Sequence, residues 1–222
     1  MTVEIRRASA RLTERAPGRA THHSLSFGPH LDPDRLRFGP MVCHDDHLLA
    51  DGQGFPEHGH SGLVIVSWVV SGALVHAGSV GGDVVVAPGQ AAVLRTGDGV
   101  EHSEHAGAPR TRFVQVWLAT DADDDGGPSY DVVEPALVPG ALTEVVTPLP
   151  GARFSVARLG IGDTVALPEA ARVHAYVASG ALTRSSLAEP LASGDAFELT
   201  DHPSVSVTAA VPTELLVWAF DA

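Results

Sequence analysis

Residues 63–74 read Leu63-Val64-Ile65-Val66-Ser67-Trp68-Val69-Val70-Ser71-Gly72-Ala73-Leu74, an apolar, β-branched run closed by a Ser-Gly turn. A run of this length bounded by turn residues suits a β-strand. Its end returns 108 residues later as Ala178-Ser179-Gly180-Ala181-Leu182. Two further matches follow in the same order. Pro88-Gly89-Gln90-Ala91 parallels Ser193-Gly194-Asp195-Ala196 at an offset of 105, and Val116-Trp117 parallels Val217-Trp218 at 101. One such match in an Ala- and Gly-rich chain carries no weight. Three in order, with a drifting offset, predict a duplicated β-domain whose loops differ in length.

Working outward, other short β-type runs appear at Val84–Val86, Ala91–Leu94, Arg112–Leu118, Arg172–Val177, Ser204–Thr208 and Glu214–Phe220. Turn signals separate them, among them Gly81-Gly82-Asp83, Pro88-Gly89 and Gly97-Asp98-Gly99. With 23 glycines and 16 prolines, an all-β sandwich or barrel fits better than βαβ units. The acidic stretch from Asp121 to Pro128 has no apolar anchor and reads as an exposed linker. The expected organisation is therefore a first domain over 1–120, a linker over 121–130 and a second domain over 131–222.

Composition narrows the function classes. The 222 residues carry 14 basic and 27 acidic groups, a net charge of −13, and every basic residue is arginine. That sign argues against nucleic-acid and anionic-membrane partners, which need clustered cations. Arg6, Arg7, Arg11, Arg15 and Arg19 gather at the N-terminus and read as a small frayed arm. A single cysteine, Cys43, excludes an intramolecular disulfide framework and a thiolate metal cluster. With no apolar run long enough to span a membrane and no signal-peptide core, the expectation is a soluble, cytoplasmic protein.

Two pairs carry the chemistry: His58-Gly59-His60 and His102-Ser103-Glu104. A spacing of two along a strand sends both side chains to one face. If the two strands are neighbours, three imidazoles and one carboxylate converge, leaving positions open for water, substrate or O₂. One His-x-His in a chain with 12 histidines is easily a turn coincidence; two such pairs flanking one apolar stretch are not. Fe(II), Mn, Ni, Cu, Co or catalytic Zn suit this donor set, while the missing sulfur disfavours a closed structural zinc site. Cellular availability and the open positions favour Fe(II).

Around these pairs the sequence resembles the pirin family of two-domain cupins. The matching residues are Ser26-Phe27, Asp32-Pro33, Phe38-Gly39-Pro40, Asp45-Asp46 and Gly52-Gln53-Gly54-Phe55-Pro56, then His58-Gly59-His60, Gly72, His76, Pro88-Gly89, Gly97, Gly99 and His102-Ser103-Glu104. The resemblance spans about Ser24 to Leu118. It implies a bicupin, that is, two β-barrels, with a single iron in the first barrel held by three His and a Glu. Those positions are the four already chosen. The chain departs from the family pattern at Gly59, Ser61 and Val64, where a proline, a basic residue and a glutamate are usual, and at Gly78, where an aspartate is usual. Loss of the acid at Val64 leaves the ligand set intact and bears on the dioxygenase activity described for several relatives.

Shifting the four ligands onto the second copy lands on Ala166, Pro168, Ser204 and Ser206, so the second barrel is expected to be metal-free. His76 reads as a strand histidine facing solvent or bonded to a backbone carbonyl, and His174 as structural. His105 reads as outer surface, His22-His23 as terminal polarity, and His44 and His47 beside Asp45-Asp46 as a solvated loop. Cys43 reads as an inert thiol, and Phe27, Phe38, Phe55 and Trp68 as core and pocket wall. Two readings of function remain open. One is a quercetinase-type dioxygenase that takes a flavonol-like aromatic substrate and O₂, with Glu104 as the catalytic carboxylate. The other is a non-catalytic iron-binding protein that regulates a protein partner or binds a small molecule.

Overall fold

The computed structural model describes residues 1–28, 31–120 and 127–222. Among the described residues strands dominate, and the helical elements are two short 3-10 turns, Ala8–Ala10 and Pro33–Arg35. Among the described residues no helix is long and apolar enough to cross a membrane. The chain divides into two compact units, residues 12–134 and residues 1–11 together with 135–222.

In the first unit a seven-stranded sheet runs in the order Ser129–Val133, Ala91–Arg95, Leu63–Ser71, Thr111–Ala119, Met41–Leu49, Arg19–His23, Leu12–Ala16. A four-stranded sheet runs Gly54–His60, Val100–Ala106, Leu74–Gly78, Val84–Val86. Leu49, Val69, Leu74, Val86, Ala92, Ala106 and Phe113 pack into one core cluster. The second unit has a six-stranded sheet, ordered Thr2–Arg6, Ala196–Thr200, Arg172–Ser179, Thr213–Phe220, Ala152–Leu159, Leu142–Leu149. The strands Thr164–Ala166 and Ser206–Thr208 pair beside it.

Both ends of the first unit differ from expectation. Thr2–Arg6 pairs along its whole length with Ala196–Thr200 and belongs to the second unit. Three of the five arginines read as a frayed arm have partners there: Arg6 Nε donates to Glu198 at 2.7 Å, Arg7 Nη1 to Asp195 at 2.8 Å and Arg11 Nη1 to the Tyr176 hydroxyl at 2.8 Å. Composition alone does not reveal acids that lie nearly 190 residues away in sequence. Ser129–Val133, expected partly in the linker, pairs with Ala91–Arg95 and belongs to the first unit. The acidic centre of that expected linker, 121–126, lies outside the described residues.

The two units share a hydrogen-bond scaffold. Gly89 N donates to Val69 O and Val69 N to Gln90 O at 2.8 and 3.1 Å; Gly194, Val177 and Asp195 repeat this at 2.8 and 2.9 Å. Thr111 Oγ1 both accepts from Ala73 N (3.1 Å) and donates to Ala73 O (3.0 Å), and Thr213 does the same to Ala181 at the same distances. Gly72 and Gly180 hold φ of +75° and +84° beside those threonines. A Cβ would come within 2.4 and 2.5 Å of the respective Thr Oγ1, so glycine is required on both counts.

These bonds also correct one of the three matches. In the first unit Gln115 pairs with Ser67 and Trp117 with Ile65; in the second, Val217 pairs with Ala175 and Ala219 with Val173. The counterpart of Trp117 is thus Ala219, and that of Trp218 is Val116. The Val-Trp dipeptides are out of register by one residue, and because side chains alternate with period two, the two tryptophans point to opposite faces.

Candidate metal centre

Strands Gly54–His60 and Val100–Ala106 are neighbours, with His58 directly opposite His102. The period-two pattern is visible in burial: His102, Glu104 and Ala106 are buried, while Glu101, Ser103 and His105 are not. A β-bulge interrupts the register between His102 and Glu104, so Glu104 faces Phe55 and His58 is re-aimed towards His102. His58, His60 and His102 each present a ring nitrogen within 4.8 Å of the others, a group able to hold a metal ion. Ring centroids lie 4.8 Å (His58–His60), 4.5 Å (His58–His102) and 5.2 Å (His60–His102) apart.

The surrounding bonds set the tautomers. His58 Nδ1 donates to Pro56 O at 2.7 Å, which leaves Nε2 as its lone-pair nitrogen. His76 Nε2 donates to Val80 O at 3.2 Å, so its Nδ1 accepts from His102 Nδ1 at 3.3 Å. His102 Nε2 is then a lone pair, buried and without a hydrogen-bond partner. A buried orphan acceptor of this kind fits a metal ion, and the histidine behind it fixes ring orientation. Burial, and after it the adjacent imidazoles, lowers His102 to about 3; burial and His58 lower His60 to about 4. Both rings are therefore neutral at pH 7, the form that binds metal.

Glu104 is not part of the three-imidazole group. Gln115 Nε2 donates to both of its oxygens, at 3.0 and 2.9 Å, and Trp117 Nε1 donates to Gln115 Oε1 at 2.8 Å. Burial pushes the Glu104 carboxyl up to about 7, against the pull of the Gln115 bond. Gly78 lies opposite His102, and a Cβ there would stand 2.7 Å from His102 Cβ, so the aspartate that the resemblance implies has no room.

A cavity of about 290 Å³ opens beside this centre, lined by Phe27, Phe55, Pro56, His58, Glu104, Gln115 and Trp117 and by a polar group of Glu14, Arg19, Thr21, His23, Asp45 and His47. Its size sits at the lower bound for a small-molecule pocket. Phe27 meets Trp117 edge-on at 5.4 Å, and the Arg19 guanidinium covers the Phe55 ring at 4.4 Å. The expected pocket-wall role of Phe27 and Phe55 agrees with this, and Trp68 is buried core.

Sequence reading missed the polar group. His44, Asp45, Asp46 and His47 form no solvated loop; they lie in the strand Met41–Leu49 and are 1–4 % exposed. Nor is His23 terminal polarity, since it is 3 % exposed and its Nδ1 is 2.9 Å from Asp45 Oδ1. Asp46 accepts two bonds from Arg112 at 2.9 and 2.8 Å, and Thr21 Oγ1 is 2.9 Å from His47 Nδ1. Acids and histidines in sequence suggest solvent; here cross-strand partners satisfy them in the interior. The one available signal was the unbroken run from Met41 to Leu49, long enough for a strand. His76, fully buried, stacks on Tyr130 at 3.7 Å, and its bond to the Val80 carbonyl matches one of its two expected readings. Burial and Asp45 push the Cys43 thiol well above its ordinary value, in keeping with an inert thiol.

A family model described as Pirin matches residues 4–118. A Mycobacterium tuberculosis protein named "Putative quercetin 2,3-dioxygenase" is 35% identical over 100% of this chain and 96% of its own length. An Escherichia coli K12 protein named quercetin 2,3-dioxygenase is 30% identical over 43% of this chain and 42% of its own. Among solved structures, the E. coli bacterial pirin YhhW in complex with nickel(II) superposes with a TM-score of 0.88 at 21% identity, covering 99% of each chain. A quercetin 2,3-dioxygenase from Acinetobacter baumannii superposes with a TM-score of 0.71 at 15% identity, covering 99% of this chain and 80% of that one. The last two likenesses speak to the two-barrel fold.

Proposed function

Because the chain belongs to the pirin family, we propose that it is a metal-dependent dioxygenase that cleaves a flavonol-like aromatic substrate. One observation carries this reading: three imidazoles, including the buried lone pair of His102 Nε2, converge beside an aromatic-walled cavity. His58, His60 and His102 would hold the ion, with Glu104 as fourth ligand. Burial makes the Glu104 anion costly, and a cation beside it would remove that cost. Fe(II) is the favoured ion, with Mn, Ni, Cu, Co and Zn as alternatives. When bound, such an ion supplies Lewis acidity towards a substrate oxygen and a place for O₂.

The chain's own residues do the rest. Phe27, Phe55 and Trp117 line the cavity and would flank a planar ring bound there. Trp117 orients Gln115, which in turn fixes Glu104. Gln115 engages both Glu104 oxygens and so orients the carboxylate beside the imidazoles. Val64, where the resemblance implies an acid, is 1 % exposed and does not line the cavity, so no charged group is missing from the pocket on its account.

The test is to load the purified protein with each metal in turn and follow quercetin loss under O₂. Turnover above that of the free ion, abolished by His58→Ala and His102→Ala, is the expected result. No turnover with any metal would overturn the dioxygenase reading in favour of a non-catalytic binding role.

A further inference from the structure

Neither His76 nor Tyr130 lines the cavity, yet a chain of contacts through both ends on one ring of the metal centre. His76 lies on the strand Leu74–Gly78, opposite Glu104 in register, and reaches diagonally to His102, Nδ1 to Nδ1 at 3.3 Å. The far side of His76 is fixed twice. Its Nε2 donates to the carbonyl of Val80, just beyond the end of that strand, at 3.2 Å. Tyr130, on the edge strand Ser129–Val133 of the seven-stranded sheet, lies flat on the imidazole at 3.7 Å and 17°. The residue after Val80 makes room for it: Gly81 holds φ of +77°, and a Cβ there would come within 2.6 Å of Tyr130 Cβ. The Tyr130 hydroxyl is buried and makes no hydrogen bond, so the ring face is what this residue contributes.

Counting protons gives this chain a direction. A carbonyl only accepts, so the single proton of a neutral His76 sits on Nε2, and its Nδ1 offers a lone pair. Burial lowers His76 from its ordinary value, which keeps the ring neutral at pH 7. An acceptor at that point holds the His102 proton on Nδ1 and leaves His102 Nε2 bare. A side chain that merely filled the space would leave His102 free to carry its proton on Nε2, closing that nitrogen to a metal. We propose that His76 is the positioning residue of the metal centre. It selects Nε2 of His102 as the coordinating nitrogen, and the Val80 carbonyl and the Tyr130 ring hold it in the orientation that does so. This rests on reading the three imidazoles as a metal site.

The test reads proton position and metal affinity, apart from activity. In metal-free wild-type protein, ¹⁵N shifts of the imidazoles should show His102 protonated at Nδ1 and bare at Nε2. In His76→Leu, which fills the space without an acceptor, the Nε2-protonated form should appear. Zn²⁺ affinity of that variant, by competition titration, should fall about 10–100-fold. His76→Asn returns an oxygen to the position of Nδ1 and should recover most of the loss. Tyr130→Ala should lose a smaller part, and Tyr130→Phe, which keeps the ring, should restore it. If His76→Leu fails to fold, the wild-type tautomer of His102 decides. His102 protonated at Nε2 in the wild type, undiminished zinc affinity in His76→Leu, or equal losses in the Leu and Asn variants overturns the proposal. Wild-type protein that binds no zinc overturns the metal centre and this role with it. Zinc binding that depends on His76, without quercetin turnover under any metal, defeats the dioxygenase and leaves the positioning role standing.

Discussion

The two barrels place the same hydrogen bonds around very different interiors. In the first, Ala106 pairs with Leu74 and its N–H donates to Gln53 O at 2.8 Å; in the second, Ala209 bridges to Leu182 and donates to Asp163 O at 2.9 Å. Counting back from those alanines, Glu104 corresponds to Val207 and His102 to Val205. The bulge that re-aims His58 is missing from the second unit, where Thr164–Ala166 runs in unbroken register against Ser206–Thr208. On the neighbouring strand Gln115 corresponds to Val217, and on the next Ser67 corresponds to Ala175. Val165, Val173, Ala175, Val177, Val207, Leu215 and Val217 fill the second interior as a continuous hydrocarbon cluster. The first barrel replaces several of those contacts with imidazole, carboxylate and amide groups around a cavity. One scaffold thus supports a solid core or a site, depending on which inward positions carry polar atoms.

The largest expected effect falls on metal content. His102→Ala should reduce metal from stoichiometric to background by mass spectrometry, while the counterpart change Val205→Ala should leave it untouched. Metal lost from the second variant and kept by the first would put the ion in the wrong barrel. Next comes the hydrocarbon core. Leu215→Ala removes a fully buried side chain and should cost about 2–5 kcal/mol in urea unfolding, without altering metal content.

Acid should act on both barrels. His47 in the first and His174 in the second are lowered from 6.5 to about 4, chiefly by burial. A histidine held below its unfolded value stabilises the fold fully above pH 6.5, and that stability is lost as pH falls towards 4. Each contributes on the order of 3 kcal/mol across this window. His174→Gln should flatten the pH dependence of unfolding by about half of the pair's joint share, and an unchanged slope would count against it. The smallest effects test the shared scaffold. Gly72→Ala and Gly180→Ala, forced into positive φ against a threonine, should each lower stability by about 1–3 kcal/mol, and by similar amounts. A large inequality in thermal melts would show that the two turns are not equivalent.

Local chemistry made much of this legible without coordinates. The Ser-Gly and Pro-Gly turns announced the duplication because glycine is demanded wherever φ is positive and a neighbouring backbone is close. Spacings of two put His58 with His60 and His102 with Glu104 on one face because a strand has period two. The counterparts in the second barrel were misplaced by one residue, as Ala166, Pro168, Ser204 and Ser206, for the same reason that the tryptophans were: a slip of one is invisible in an alignment and reverses the face. Residue types and periods are local quantities, and the sequence by itself determined the all-β class, the repeat and the imidazole set. Only the tertiary structure decided which strand each edge meets. It alone gave the N-terminal strand to the second barrel, buried His23 against Asp45, and set Gln115 between Trp117 and Glu104. Those pairings join residues far apart in the chain, and whether a buried acid or imidazole has a partner depends on the fold that brings the partner there.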